Sequence, residues 1–128
     1  MADKKAVILC IDDDPDILSF LEIVLTGAGY EYVGAESAEE GLRVYKERRP
    51  DVVIVDLMME EVDSGTGFVK ELRALGNTAP VFMLSSVGDN LNMITETSPI
   101  GLAGVFQKPI ARQHLLTVLA ATLAAHPA

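Results

Sequence analysis

Five polar residues stand where apolar runs end, and their types could do chemistry together. The run 52–55 leads into Asp56, 6–11 into Asp12 and Asp13, 81–84 into Ser85, and 103–106, with one residue between, into Lys108. An aspartate can act as a nucleophile and carry a covalent intermediate. Three carboxylates gathered at one place repel one another and resist losing water, so the cluster is tolerable when something positive sits in it. An all-oxygen, half-hydrated site suits Mg²⁺ better than Ca²⁺. With a hydroxyl and an ammonium as donors for the remaining oxygens, the set suits transfer of a phosphoryl group to Asp56.

Such a set works only if the fold converges it. DVVIVD puts four aliphatic residues directly before Asp56, the mark of a strand covered on both faces, as in a parallel sheet flanked by helices. The first strand, 6–11, leads to Asp14 as a helix N-cap with Pro15 in the first turn. Ile17, Leu21, Val24, Leu25 and Ala28 follow at helical spacing, and Gly27 and Gly29 close that helix. Residues 30–35 read as a weaker strand. Ser37 and Glu40 form a capping box for a second helix, which carries Leu42, Val44 and Tyr45 and stops before Pro50.

After the third strand comes a polar, glycine-bearing loop over 60–67, then a third helix marked by Phe68, Val69, Leu72 and Leu75 and stopped by Gly76 and Asn77. The fourth strand is 81–84. A helix over about 90–97 has few apolar anchors. The fifth strand is 103–106, and Leu115, Leu116, Leu119 and Leu123 give the last helix its buried face. Alternating strands and helices of this kind predict an α/β fold, a doubly wound five-stranded parallel sheet with right-handed crossovers. If the first and third strands are neighbours at the point where strand order reverses, Asp12, Asp13 and Asp56 share the carboxyl edge of the sheet.

Composition narrows the classes. At 128 residues the chain is one domain's worth, and its hydrophobic content of 49% with 23% charged residues is that of a globular protein. A net charge of −9 argues against nucleic-acid binding, which rewards clustered Lys and Arg. The single cysteine, Cys10, reads as a small core hydrophobe, pointing to a reduced cytoplasmic setting. No apolar run approaches the ~20 residues that span a bilayer. Met83 and Met93 read as core filler, His114 and His126 as solvent-facing, and Arg48-Arg49 as an ordinary helix end.

ILCIDDDPDI, VVIVDLMM, MLSS and QKP, in that order and spacing, resemble the receiver domain of two-component response regulators, of the stand-alone chemotaxis-regulator-like type. The resemblance covers essentially the whole chain. It implies one receiver domain over 1–128, with its core at about 5–125, in the flavodoxin-like (βα)5 arrangement with strand order 2-1-3-4-5. It further implies that Asp56 is the phosphoacceptor, with Ser85 and Lys108 contacting the phosphoryl group. Asp12, Asp13, Asp56 and the backbone carbonyl of Met58 would hold Mg²⁺. A histidine kinase, a phosphotransfer protein or a small phosphodonor would supply the phosphoryl group. The receiver would catalyse only its own phosphorylation and dephosphorylation. Its target would dock on the face formed by the fourth helix, fifth strand and fifth helix, without nucleic acid or membrane. Length leaves room for a stand-alone receiver or one excised from a longer protein.

Some positions depart from the family pattern. Glu60 stands where receivers commonly have proline, and 63–67 reads Asp-Ser-Gly-Thr-Gly, with one extra residue, so a differently shaped loop is expected. Val105 replaces the usual aromatic three residues before the lysine, which argues against a tyrosine-type switch; Phe106 is next to it. Val87 and Met58 are apolar and would shield the acyl phosphate from water. Two other classes compete. A receiver-fold interaction module that takes no phosphate is opposed by the intact Asp12, Asp13, Asp56, Ser85, Lys108 set. A haloacid-dehalogenase-like phosphatase would use the Asp-x-Asp of 12–14, but needs its lysine before a later Gly-Asp-x-x-x-Asp, and here Gly88-Asp89 precedes Lys108 with Met93 in place of the second Asp. A flavin-binding reading lacks a phosphate loop after the first strand.

Overall fold

The computed structural model describes residues 5–56, 64–86 and 103–125, without the side chains of 64–67 and 69. In chain order the elements are β1 (Val7–Ile11), α1 (Pro15–Gly27), β2 (Glu31–Ala35), α2 (Ala38–Arg48), β3 (Val52–Asp56), α3 (Ser64–Ala74), β4 (Val81–Ser85), β5 (Gly104–Gln107) and a C-terminal helix (Arg112–Ala125). The strands form one five-stranded parallel sheet of order β2-β1-β3-β4-β5. Strand order reverses between β1 and β3, which therefore lie side by side as expected.

Every residue of β1 and β3 is buried, because successive side chains enter opposite layers. Ile8, Cys10, Val52 and Ile54 join Leu18, Leu21, Leu25, Leu115 and Leu119 on the side of α1 and the C-terminal helix. Leu9, Ile11, Val53 and Val55 join Val44, Tyr45, Phe68 and Leu72 on the side of α2 and α3. Continuous apolar runs are thus the signature of a sheet sandwiched between two helical layers. Cys10 and Met83 are fully buried core residues.

Local chemistry fixes the helix ends. The Asp14 carboxylate accepts the Asp16 amide at 2.9 Å, with Pro15 opening α1. Leu18, Leu21, Val24 and Leu25 form the buried stripe of α1; Ile17 is only partly buried, and Ala28 lies past the helix end, exposed. Ser37 Oγ accepts the Glu40 amide at 3.1 Å, while the Glu40 carboxylate reaches back to the amide of Glu36 at 2.9 Å, one residue earlier than a standard capping box. Arg49 closes α2 with φ 49°, its guanidinium 5.9 Å from the Tyr45 ring centre. Arg48 pairs with Glu31.

Three sequence expectations need correction. Residues 64–67 belong to α3 rather than to a loop. Phe68 and Leu72, one turn apart, are 2% and 0% exposed, and burying both outweighs the ~1 kcal/mol that each interior glycine costs a helix. Leu75 is not a core anchor: it lies beyond the helix end, 44% exposed, just before Gly76 at φ 84°. Asn77 turns inward instead. Its Oδ1 accepts the buried Tyr45 hydroxyl at 3.0 Å and the Ala79 amide at 3.1 Å, and its Nδ2 donates to Ala79 O at 2.9 Å. β5 runs one residue later than expected, because Gln107 pairs in register with Ser85. The helix expected over 90–97, Val87, Met93, His126, Met58 and residues 60–63 of the expected loop lie outside the described residues.

The Asn77 contacts carry a stability prediction. Asn77→Ala is expected to cost about 1–3 kcal/mol, because it strands the buried Tyr45 hydroxyl. Urea unfolding of Asn77→Ala and of the double variant with Tyr45→Phe measures this, and the second change should recover part of the loss.

Candidate functional site

The carboxyl ends of β1 and β3 deliver their aspartates side by side. Asp12 follows β1, is 0% exposed, and donates its amide to Ala35 O at 3.1 Å, which ties it to the end of β2. Its Oδ1 accepts the Asp14 amide at 2.9 Å. That turn leaves Oδ2 buried with no hydrogen bond. Asp56 ends β3 and is 4% exposed, while Asp13 is exposed at the rim. Carboxylate oxygens of Asp12, Asp13 and Asp56 lie within 4.8 Å of one another.

Lys108 reaches the same place from the far side of the sheet. Its amide donates to Ser85 O at 2.7 Å, which anchors the turn after β5 to the end of β4. Its Nζ stands 3.0 Å from Asp12 Oδ2 and 3.2 Å from Asp56 Oδ1. The contact with Oδ2 is an ion pair without hydrogen-bond alignment. Ser85 is 2% exposed, one residue beyond Leu84, the in-register partner of Asp56. The structure thus converges Asp12, Asp13, Asp56 and Lys108, and sets Ser85 at the end of the adjacent strand. Phe106 points into the core, its ring 5.0 Å from that of Phe82 and edge-on to exposed His114 at 5.7 Å, whereas Val105 is 38% exposed.

Burial and crowding dominate the electrostatics. Burial, then the Asp12 charge, pushes Asp56 up to about 6, with Lys108 opposing. Burial likewise raises Asp12 against the pull of the Asp14 amide and Lys108. For Lys108 burial alone works downward, but Asp12 and Asp56 reverse it and hold the ammonium above its ordinary value. The acidic group fits a hard cation: an oxygen-only donor set, a buried Asp12 oxygen lacking a hydrogen bond, and two carboxylates raised chiefly by burial, with the charge of a neighbouring aspartate adding to each.

A pH dependence follows. Asp56 binds its proton more tightly folded, near 6, than unfolded, near ~3.9. Protonation therefore adds stability that is complete below about pH 4 and is lost as pH rises through about 6. Without divalent metal, the chain is expected to gain up to about 3 kcal/mol between pH 7 and pH 4 from this group. Asp56→Asn should be more stable than wild type at pH 7 and should lack that gain. Urea unfolding in EDTA at several pH values measures both.

The family model for the response regulator receiver domain matches residues 8–120. The chain belongs to that family. This receiver is 36% identical over 115 residues to the transcriptional regulatory protein GlrR of Escherichia coli, a match covering 90% of the chain and 26% of GlrR. It spans between about a quarter and a half of the length of the curated relatives that it matches over most of its own. Among solved structures, the chemotaxis protein CheY4 of Vibrio cholerae superposes with a TM-score of 0.85 at 30% identity, covering 94% of this chain and 100% of that one. A response regulator receiver domain from Clostridium thermocellum does so at 0.84 and 31%, covering 94% and 95%. The flavodoxin-like order expected from the resemblance is the order observed. No helix among the described residues is long and apolar enough to cross a membrane. The receiver belongs to two-component signalling.

Missed in the sequence were the contacts that aim these groups: the Asp14 amide on Asp12 and the Ser85 carbonyl holding the Lys108 turn. Both are backbone contacts and leave no mark in residue identity, beyond the Asp-x-Asp spacing that permits the first.

Proposed function

We propose that Asp56 accepts a phosphoryl group, and that the observation carrying this is the convergence of Asp12, Asp13, Asp56 and Lys108 at one sheet edge. A carboxylate oxygen of Asp56 forms the new bond to phosphorus as the bond to the leaving group breaks in line. Lys108, already against Asp56, donates to a phosphoryl oxygen, and Ser85 supplies a hydroxyl from the adjacent strand end. Bound Mg²⁺, held by Asp12, Asp13, Asp56 and the carbonyl of Met58, would offset charge on the transferring group. The phosphodonor is a histidine kinase or phosphotransfer protein, with small acyl phosphates as substitutes. The chain acts on itself alone, in the cytoplasm, and 1–128 is one receiver domain.

The phosphorylated state signals by shifting a pre-existing equilibrium on the face that includes β5 and the C-terminal helix, where a target protein docks. With Val105 exposed and Phe106 locked in the core, coupling does not use an inward-swinging aromatic at 105. Incubation with acetyl phosphate and Mg²⁺, borohydride reduction and peptide mapping tests the acceptor. Conversion of Asp56 to homoserine is expected; conversion at Asp12 or Asp13 instead would overturn the assignment.

A further inference from the structure

A second polar site lies beside the first, between α1 and the β2–α2 turn. Here a groove of about 490 Å³ is bounded by Pro15, Glu22, Tyr32, Gly34, Glu36 and Glu40, a size within the range of ligand sites. Pro15 stands two residues after Asp13, and Glu36 directly follows β2, so the upper end of the groove adjoins the carboxyl edge.

The floor is built by an unusual pair. Gly34 sits inside β2, where glycine weakens a strand and marks close approach of another group. That group is Tyr32: a Cβ on residue 34 would stand 2.2 Å from the Tyr32 hydroxyl oxygen. The phenol therefore lies along its own strand beside the glutamates. Burial raises it to about 12, with Cys10, Glu22 and Glu36 adding to the effect. Glu40 is committed to the Glu36 amide and to Arg43 at 3.7 Å. Glu22 and Glu36 have no cationic side-chain partner among the described residues. An aromatic face and hydroxyl beside two unpaired carboxylates complement a planar cation that can both stack and donate in several directions. Guanidinium does this and ammonium does not.

We propose that this groove receives an arginine side chain of the protein that docks over the carboxyl edge, with Glu22 and Glu36 pairing the guanidinium across Tyr32. Identifying that protein as the phosphodonor rests on Asp56 being the acceptor; the groove itself does not.

N-acetyl-arginine amide is the probe, titrated into uniformly labelled protein and followed by amide NMR. Saturable shifts are expected at Glu22, Gly34 and Glu36, weaker with N-acetyl-lysine amide. In Glu22→Gln/Glu36→Gln, with an otherwise superposable spectrum, affinity should fall roughly fivefold, the scale of two exposed ion pairs. Asp56→Asn should bind the probe like wild type. Three results would overturn the proposal: no saturable shift, equal response to the lysine amide or to MgCl₂, or an undiminished response in the double variant. A response lost in Asp56→Asn would move binding to the aspartate cluster and overturn it as well. Failure of acetyl phosphate to label Asp56 would overturn the phosphoacceptor reading while leaving this one standing.

Discussion

Lys108→Ala is expected to destabilise the metal-free protein by about 3–5 kcal/mol at pH 7, the scale of leaving buried charge uncompensated. Lys108 Nζ stands against two carboxylates that are almost wholly inaccessible, with side-chain exposures of 0% for Asp12 and 5% for Asp56. No other cation contacts them among the described residues. Alanine leaves Asp12 and Asp56 facing each other, which pushes both carboxyls further up. The deficit should therefore shrink as pH falls and protonation removes the repulsion. Mg²⁺ should restore much of the loss at pH 7, since it supplies charge where the ammonium did. Phosphorylation has no such substitute. Without a donor aimed at the transferring group, labelling by acetyl phosphate should slow by roughly 100-fold or more. Urea unfolding with Mg²⁺ or EDTA, beside a labelling time course, measures both. Unchanged stability in EDTA would mean that the bridge contributes nothing.

Asp13→Asn is expected to separate metal binding from stability. Asp13 is exposed while Asp12 is buried, so the fold should lose little when its charge goes. Mg²⁺ affinity should fall by roughly 10- to 100-fold, the scale seen when groups that support a bound metal are removed. Asp12→Asn should weaken Mg²⁺ as well, but its effect on the metal-free fold has the opposite sign, because it relieves repulsion with Asp56. Calorimetric titration with MgCl₂ gives the affinities and thermal unfolding in EDTA gives the stabilities. Equal Mg²⁺ affinity in Asp13→Asn and wild type would remove Asp13 from the metal set.

Much of this was legible because burial and periodicity coincide in a parallel sheet. A short, uninterrupted, β-branched run such as VVIV suits a strand covered on both faces, and the residue that ends such a strand lands at the sheet edge. Asp56, Asp12, Ser85 and Lys108 could thus be placed without coordinates. Elements governed by tertiary burial against local propensity were harder. The glycines at 65 and 67 read as loop, yet the burial of Phe68 and Leu72 carries the helix back to Ser64. Leu75 has the right spacing for a core face but falls past the helix end, and polar Asn77 takes the inward place because Tyr45 meets it. The groove beside α1 was invisible for another reason: residues 30–35 read only as a weak strand, and nothing in residue identity shows that Tyr32 lies over Gly34.

The most direct test of the central claim is intact mass after incubation with acetyl phosphate, with Mg²⁺ or with EDTA, on wild type and Asp56→Asn. Mass is the right observable because the chain has no tryptophan to report by fluorescence. A gain of one phosphoryl group in wild type, dependent on Mg²⁺ and absent from Asp56→Asn, is the predicted result. An equal gain in the variant, or a gain in wild type indifferent to EDTA, would contradict the assignment of Asp56 and its acidic neighbours as a metal-assisted phosphoacceptor site.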